Sequence, residues 1–530
     1  MKSAIDFYSG IGGWTLGMKL SGIQNVASYE WWQEANNTHN INFGTNHDEI
    51  DIRKINVITD LDFGRKIDFV VGSPPCTQFS FANRGGNGNL ADGLIDLYKF
   101  LEIVDFLKPK YWAMENVPRV AKILEQELNG SLKKFKHLVK VIKVVDASDY
   151  GVPQSRKRMI AGDFPFELFE SYKKGIKKKT LGEVIKTLSQ TVITDPNYGY
   201  KIKREDVTEL DNEVDLTIEE ERINKDSKTY HPVYNGMSFP ENLEKPSRTI
   251  TATCTRVSRE SIILKSDKGF RRLNVRERGV LQGFPITYQF YGKTLNAKFK
   301  MIGNAVPPVL TYYIFQSMLG TKTKDLKNPA QSSYQHKKPK QAAPISKLDL
   351  PLRKFPRARK FQFAVPNLRF GSGIRFELSN NSSEFNIEWS FKFYYGNSKA
   401  IKQVTLDQKL LNNLNEFLDD NTKIIINRHV DKIVSKYEDL NSRYLQELWT
   451  SSKRSYKVIE FIDQVGNAAS QLLAKPEIRA LATHEMPGFL PAFNKSIVKE
   501  VPKIVLGCFL LSSLNEQIFI HENSSVLFAS

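Results

Sequence analysis

Cysteine is scarce in this chain: three in 530 residues, at positions 76, 254 and 508. Three thiols cannot build a disulfide framework, and no CxxC pair or Cys/His cluster has zinc-ligand spacing, so no metal is expected. Acidic residues are also in deficit, 58 against 76 lysines and arginines, which leaves a formal net charge of +18. That balance favours partners carrying phosphates or acidic surfaces. Long hydrophobic runs are missing. The N-terminal MKSAIDFYSGIGG enters a strand pattern with no signal-peptide core, and the longest late apolar run, IVLGCFLLSSL from Ile504, is too short for a bilayer. The expectation is a cytoplasmic protein in a reducing compartment, not associated with a membrane. A GxGxxG fingerprint is lacking too, which argues against a dinucleotide enzyme.

The first 160 residues alternate β-rich runs (SAIDFY, NVASYE, KIDFVVGS, KYWAMEN, KHLVKVIKVVDAS) with helical or polar segments such as LIDLYKFLEIVDFL. That alternation predicts an α/β fold with a parallel sheet and crossover helices, whose ligands sit beyond the carboxyl ends of the strands. From residue 165 to about 270 the pattern breaks into a polar stretch of mixed charge that reads as an inserted small domain. Regular pattern returns over 271–321, with a helix starting near Pro307. A basic, polar stretch, 322–349, reads as a linker. Residues 350–530 form a separate α+β module: Phe385, Ile387, Trp389, Phe391 and Phe393 alternate along a strand, and Leu406, Leu410, Leu414 and Phe417 share one face of a helix. This module could add contacts to a phosphate-bearing partner, bind a protein partner or be a fused nuclease, although it holds no convincing metal-binding carboxylate–lysine set.

Three segments carry the chemistry. DFYSGIGG ends the first strand in a glycine turn that lets backbone approach a ligand. About twenty residues on, SYEWW ends the second strand, where Glu30 suits a ribose hydroxyl pair and Trp31 an adenine face; the bland alternative is a surface carboxylate and a core indole. The third strand ends in GSPPC, delivering Cys76 behind Pro74 and Pro75. The next delivers Glu115 in AMENVPRV, and QSRKR brings Arg156 and Arg158. A thiol, a carboxylate and guanidinium groups at neighbouring strand ends make a nucleophile with proton donors and anion holders.

In this order, DFYSGIGG, YEWW, GSPPCTQFS, ENV, QSRKR, RERGVLQGFP and GNAVPP resemble the cytosine-5 DNA methyltransferases over residues 3–320, and the set is far more specific than any one motif. The resemblance implies a Rossmann-like methyltransferase domain (1–164 with 271–321), a target recognition domain at 165–270, S-adenosylmethionine as methyl donor and cytosine in double-stranded DNA as acceptor. It implies that Tyr8, Gly10, Ile11, Gly13, Glu30, Trp31, Asp51, Ile52, Asn304 and Val306 form the donor pocket. Cys76 would attack carbon 6 of a flipped-out cytosine, Glu115 would serve ring nitrogen 3, Arg156 the exocyclic oxygen, and Arg158 a phosphate or the thiolate. Arg276 and Glu277 match a structural pair bracing the catalytic and recognition domains. One departure is Thr77, where the family commonly has glutamine. The implied protein is a monomeric modification enzyme of a restriction-modification system, working beside an endonuclease, or an orphan or phage methyltransferase. The alternatives are a tRNA cytosine-5 methyltransferase, disfavoured by the long insert, and a catalytically inactive nucleic-acid-binding relative, disfavoured by the intact Cys76, Glu115 and Arg156.

Overall fold

The computed structural model describes residues 1–75, 90–211, 213–229, 237–351, 355–370, 374–382, 387–396, 401–437, 440–481, 487–490 and 500–520. It divides into two compact units. The first comprises 1–215 and 239–349, the second 216–238 and 350–530.

In the first unit, β1 (Ser3–Phe7), β2 (Gln24–Tyr29), β3 (Phe69–Gly72), β4 (Tyr111–Asn116), β5 (Val141–Asp146) and β6 (Lys157–Asp163) form one sheet in the order β2-β1-β3-β4-β6-β5. β1 runs parallel to β2 and β3, and β3 parallel to β4; β6 is antiparallel to both β4 and β5. Every residue of β1 and β3 is buried. That fits their mostly apolar character, with Ser3 and Asp6 as the buried polar exceptions, since a parallel strand with helices on both faces has no solvent side. Helices α1 (Gly13–Leu20), α2 (Gln33–Phe43), α3 (Leu90–Leu107) and α4 (Arg119–Glu127) follow these strands. The carboxyl ends of β1, β2, β3 and β4 therefore open on one edge, where ligands of such sheets bind.

Past β6 come α5 (Phe166–Tyr172), α6 (Leu181–Leu188), β7 (Val192–Thr194) and β8 (Lys201–Lys203). The insert then leaves this unit. Its helix α7 (Ile218–Thr229) belongs to the second unit, and the chain returns at residue 239 to make β9 (Ile263–Lys265) and β10 (Phe270–Arg272). Helices α8 (Val275–Leu281), α9 (Leu295–Asn304) and α10 (Pro308–Met318) complete the first unit. α8 begins at a reciprocal cap in which the Asn274 side chain and Glu277 satisfy each other's backbone amides. α10 starts with proline, whose missing N–H costs nothing in a first turn.

The basic stretch 322–349 is no free linker. Main-chain carbonyls along it accept side-chain donors of the core: Lys327 from the Tyr312 hydroxyl at 2.9 Å, His336 from the Thr287 hydroxyl at 3.0 Å and Gln341 from the Tyr291 hydroxyl at 2.5 Å. His336, Ala343 and Ser346 are buried. Composition suggested a solvated connector, but these anchors are carbonyl groups, which every residue type supplies.

The second unit pairs β11 (Gln362–Phe370), β12 (Ile374–Ser382), β13 (Ile387–Tyr395) and β14 (Lys402–Thr405) into an antiparallel sheet in sequence order. Trp389, Phe391 and Phe393 are buried on one face, as their alternation predicts; Phe385 lies outside the described residues. Helices α11 (Gln408–Phe417), α12 (Asp420–Val434), α13 (Ser442–Thr450), α14 (Tyr456–Leu473), α15 (Pro476–Ala480) and α16 (Val501–Asn515) complete this core. α16 holds the late apolar run and is buried almost throughout. Among the described residues no helix is long and apolar enough to cross a membrane.

Candidate active site

The turn after β1 is held in an uncommon backbone conformation. Tyr8 has φ 55° and Gly10 φ 53°. Glycine carries the second at no steric cost; Tyr8 is fixed by its hydroxyl, 3.3 Å from Asp96 Oδ1. Asp96 in turn takes two hydrogen bonds from Arg53, at 2.9 and 2.7 Å. Gly13 is required for a different reason. A Cβ there would lie 2.2 Å from the Val306 carbonyl oxygen, so glycine permits the start and the end of the catalytic core to meet.

Glu30, at the end of β2, folds back over this turn. Its carboxylate accepts from the amides of Gly10 (2.8 Å) and Trp32 (2.7 Å). Burial pushes its pKa up, against those amide donors, which pull it down. Behind the turn sits a buried polar cluster in which Thr15 donates to Asp6 at 2.9 Å and lies 3.0 Å from His39 Nε2. Burial raises the Asp6 carboxyl to about 8 and lowers His39 to about 3, so both are held neutral.

A cavity of about 260 Å³ opens over the strand ends. It is lined by Tyr8, Ser9, Gly10, Ile11, Glu30, Trp31 and Trp32 on one side, by Ser73, Pro74, Pro75, Glu115, Asn116, Val117, Arg156 and Arg158 on another, and by Lys300, Met301, Gly303, Asn304, Ala305 and Val306 across the top. Trp31 is 64% exposed and leaves its ring available for stacking. The Ser9 hydroxyl is buried without a hydrogen-bond partner among the described residues. A buried carboxylate, an open indole and an unsatisfied hydroxyl around glycine backbone suit a nucleoside carrying a charged tail. Asp51 and Ile52, expected at the adenine edge, do not line the cavity; Asp51 caps the following turn through the Arg53 amide at 3.1 Å, and Ile52 is buried.

At the far end, Glu115 is 5% exposed and its Oε1 lies 2.7 Å from Arg158 Nε. The Asn116 amide donates to the Pro74 carbonyl at 3.1 Å, which ties the end of β4 to the turn ahead of Cys76. Cys76, with Thr77, lies outside the described residues. Arg156 stands elsewhere than expected. It is 1% exposed and donates to the carbonyls of Ile250 (3.0 Å), Gly303 (2.7 Å) and Ala305 (3.2 Å). The cation beside Glu115 is therefore Arg158, and Arg156 buttresses the roof of the cavity. Arg276 and Glu277 do not pair with each other. Arg276 donates to the Thr208 carbonyl at 3.2 Å and to that of Tyr288 at 2.5 Å, whereas Glu277 takes two hydrogen bonds from Arg271, at 2.9 and 2.8 Å.

Several lining residues were not singled out from the sequence, among them Ser9, Trp32 and Lys300. Ser9 lay hidden inside the glycine motif, and Trp32 beside the more obvious Trp31. Lys300, whose ammonium stands 4.8 Å from the Trp32 ring centroid, carried no local signal.

Residues 2–320 match the family model of C-5 cytosine-specific DNA methylases. The type II methyltransferase M1.HphI of Haemophilus parahaemolyticus is 29% identical over 344 residues, covering 61% of this chain and 87% of that protein. M.HindV of Haemophilus influenzae is 28% identical over 336 residues, covering 61% and 98%. Among solved structures, a DNA modification methyltransferase encoded within an E. coli prophage aligns with a TM-score of 0.46 at 23% identity, over 60% of this chain and 99% of that one. With more than half its length matched, the chain belongs to the C-5 cytosine-specific DNA methylase family.

Proposed function

We propose that this DNA cytosine methyltransferase works by covalent catalysis in the cavity over β1–β4, within a specific double-stranded sequence. S-adenosylmethionine, the methyl donor that the family supports, supplies an electrophilic methyl group when bound. Glu30 accepts from its ribose hydroxyls and Trp31 stacks on its adenine, with Tyr8, Gly10, Ile11, Gly13, Asn304 and Val306 shaping the pocket around it. Asp51 and Ile52 are left to approach the adenine edge from outside the cavity lining.

Carbon 5 of cytosine is a weak nucleophile. Attack of the Cys76 thiolate on carbon 6 makes carbon 5 electron-rich, and one difficult step becomes two easier ones. Glu115 hydrogen-bonds the ring at nitrogen 3 and supplies a proton as charge builds. Arg158 binds the exocyclic oxygen and holds Glu115 in place. Carbon 5 takes the methyl group, a base then removes its proton, and the thiol leaves. A paired base cannot enter such a cavity, so the target is flipped out of the duplex. The observation that carries this reading is the Glu115–Arg158 pair facing a cavity whose wall includes Pro75, the residue before Cys76.

The insert, 165–270, is the proposed target recognition domain. The relatives' type II character supports a role as the modification half of a restriction-modification system, acting as a cytoplasmic monomer without stable contact to the endonuclease. The test is a duplex carrying 5-fluorocytosine at the methylated site. Fluorine cannot leave as a proton does, so a covalent adduct at Cys76 is expected, with none for Cys76→Ser. An adduct at Cys254 or Cys508 refutes the mechanism.

A further inference from the structure

The second unit holds a basic surface of its own, built where two distant segments meet. Residues 351–376 contain no acid, and neither do residues 448–459. The fold brings these two stretches together. Gln446 Nε2 donates to the Arg357 carbonyl at 2.7 Å, and Trp449 Nε1 to that of Lys360 at 3.1 Å. Arg359 lies between them, its guanidinium 3.8 Å from the Trp449 ring centroid and its Nη1 2.9 Å from the Trp449 carbonyl. Arg357, Lys360, Lys453, Arg454 and Lys457 are all exposed, and no ion pair to any of them occurs among the described residues.

The recognition insert supplies the keystone. Glu219, in the first turn of α7, accepts from both Arg359 nitrogens and from the Ser455 hydroxyl at 2.6 Å. This carboxylate is therefore spent internally, on locking α7 to both basic segments. Glu447 and Glu460 border the second stretch.

In the first unit several arginines of the insert and of its flank are engaged by neighbouring groups. Arg256 is 5% exposed and donates to the carbonyls of Val214, Asp215 and Asp349. Arg204 bonds the Leu188 carbonyl and Asp211, and Arg272 is fully buried against Glu213. These side chains hold the structure of this region together, while exposed lysines of the insert such as Lys174, Lys186 and Lys201 supply outward charge in the first unit.

We propose that the surface formed by residues 357–360 and 453–457, fixed by α7, grips the phosphate backbone of the substrate duplex. This rests on the DNA methyltransferase reading above. Phosphate contacts of this kind set position and register, while base edges supply the sequence information. They also release counterions, so binding that uses them weakens steeply with salt.

The experiment uses the full-length chain with Arg357, Lys360, Lys453, Arg454 and Lys457 changed together to glutamine. Affinity for a duplex containing the methylated site is measured across a salt series, with S-adenosylmethionine affinity and the unfolding midpoint as controls. The expected result is DNA affinity lowered at least roughly tenfold at low salt, with the log–log salt slope reduced by about 0.9 for each phosphate that is no longer neutralised, and both controls unchanged. Should the fivefold variant misfold, the two subsets (Arg357 with Lys360, and Lys453, Arg454 with Lys457) are each expected to lose part of the slope. Unchanged affinity and slope, with methyl transfer by the wild-type chain intact, overturn this proposal alone. A wild-type chain that methylates no duplex overturns the catalytic reading, and this one with it.

Discussion

Arg158 Nε lies 2.7 Å from Glu115 Oε1, while Arg156, two residues earlier, reaches three carbonyl groups in the roof of the cavity. The two arginines of QSRKR thus have separate tasks. Arg158→Ala is expected to lower the rate of methyl transfer by about 10²–10³-fold, the scale for loss of a donor aimed at developing charge, with S-adenosylmethionine affinity retained. Arg156→Ala leaves buried carbonyls without donors and is expected to cost roughly 2–4 kcal/mol of stability. Single-turnover kinetics and urea unfolding of both variants separate the roles; a stability loss for Arg158→Ala with an unchanged rate would reverse the assignment.

The proposed donor pocket takes in the end of β2. Glu30→Ala removes the carboxylate for the ribose and Trp31→Ala the stacking face. Each is expected to weaken S-adenosylmethionine binding by about 1–3 kcal/mol. Titration calorimetry is the check, and unaltered affinity in both variants would empty the pocket of its assigned ligand.

The buried Asp6 makes stability depend on pH. Its folded-state pKa is raised to about 8 from the ordinary 3.8. Between those values the unfolded chain has released the proton and the folded chain keeps it. The contribution is therefore complete below about pH 4 and is lost as pH rises to about 8, by at most about 1.4 kcal/mol per unit. His39, lowered to about 3, acts in the opposite direction: its contribution is lost as pH falls from about 6.5 to about 3. Asp6→Asn keeps the size and removes the titration. The stability of wild type relative to Asp6→Asn should fall steadily from pH 4 to pH 8 in urea unfolding; a constant difference would mean that Asp6 is ionised in the fold.

The stretch 322–349 can be tested by shortening the chain. A chain ending at Asp349 keeps the carbonyls that receive Tyr312, Thr287 and Tyr291, and also Ser346, whose hydroxyl donates to the buried Glu209 at 2.8 Å. One ending at Lys322 loses all of them. Calorimetric scans should show the Lys322 chain melting several degrees lower; equal melting temperatures would restore the reading of a free linker.

The site was more legible than the architecture around it. Glu30, Trp31, Glu115 and the Pro74–Pro75 turn could be read because each is tied to a strand end, and strand ends announce themselves by hydrophobic pattern. Which arginine pairs with Glu115 could not be read. Arg156 lies one residue before β6, where its amide is held by Asp146 at 3.0 Å, and no local rule fixes a side chain at such a corner. Nor could the membership of α7. Its anchors, Arg359 and Ser455, lie 140 and 236 residues beyond Glu219, and a helix with a polar face gives no sign of which distant core will receive it.

The contact between Gly13 and Val306 has a consequence for the order of synthesis. A nascent chain has made β1, its glycine turn and α1 within the first 20 residues, but Thr311, whose hydroxyl bonds the Gly13 carbonyl at 2.9 Å, emerges about 300 residues later. Until then α1 has no α10 to pack against and the donor pocket has no roof. The ribosome must therefore finish residues 165–270 before the cavity proposed to hold the methyl donor can close, so a chain stalled inside that insert is released with the cavity incomplete.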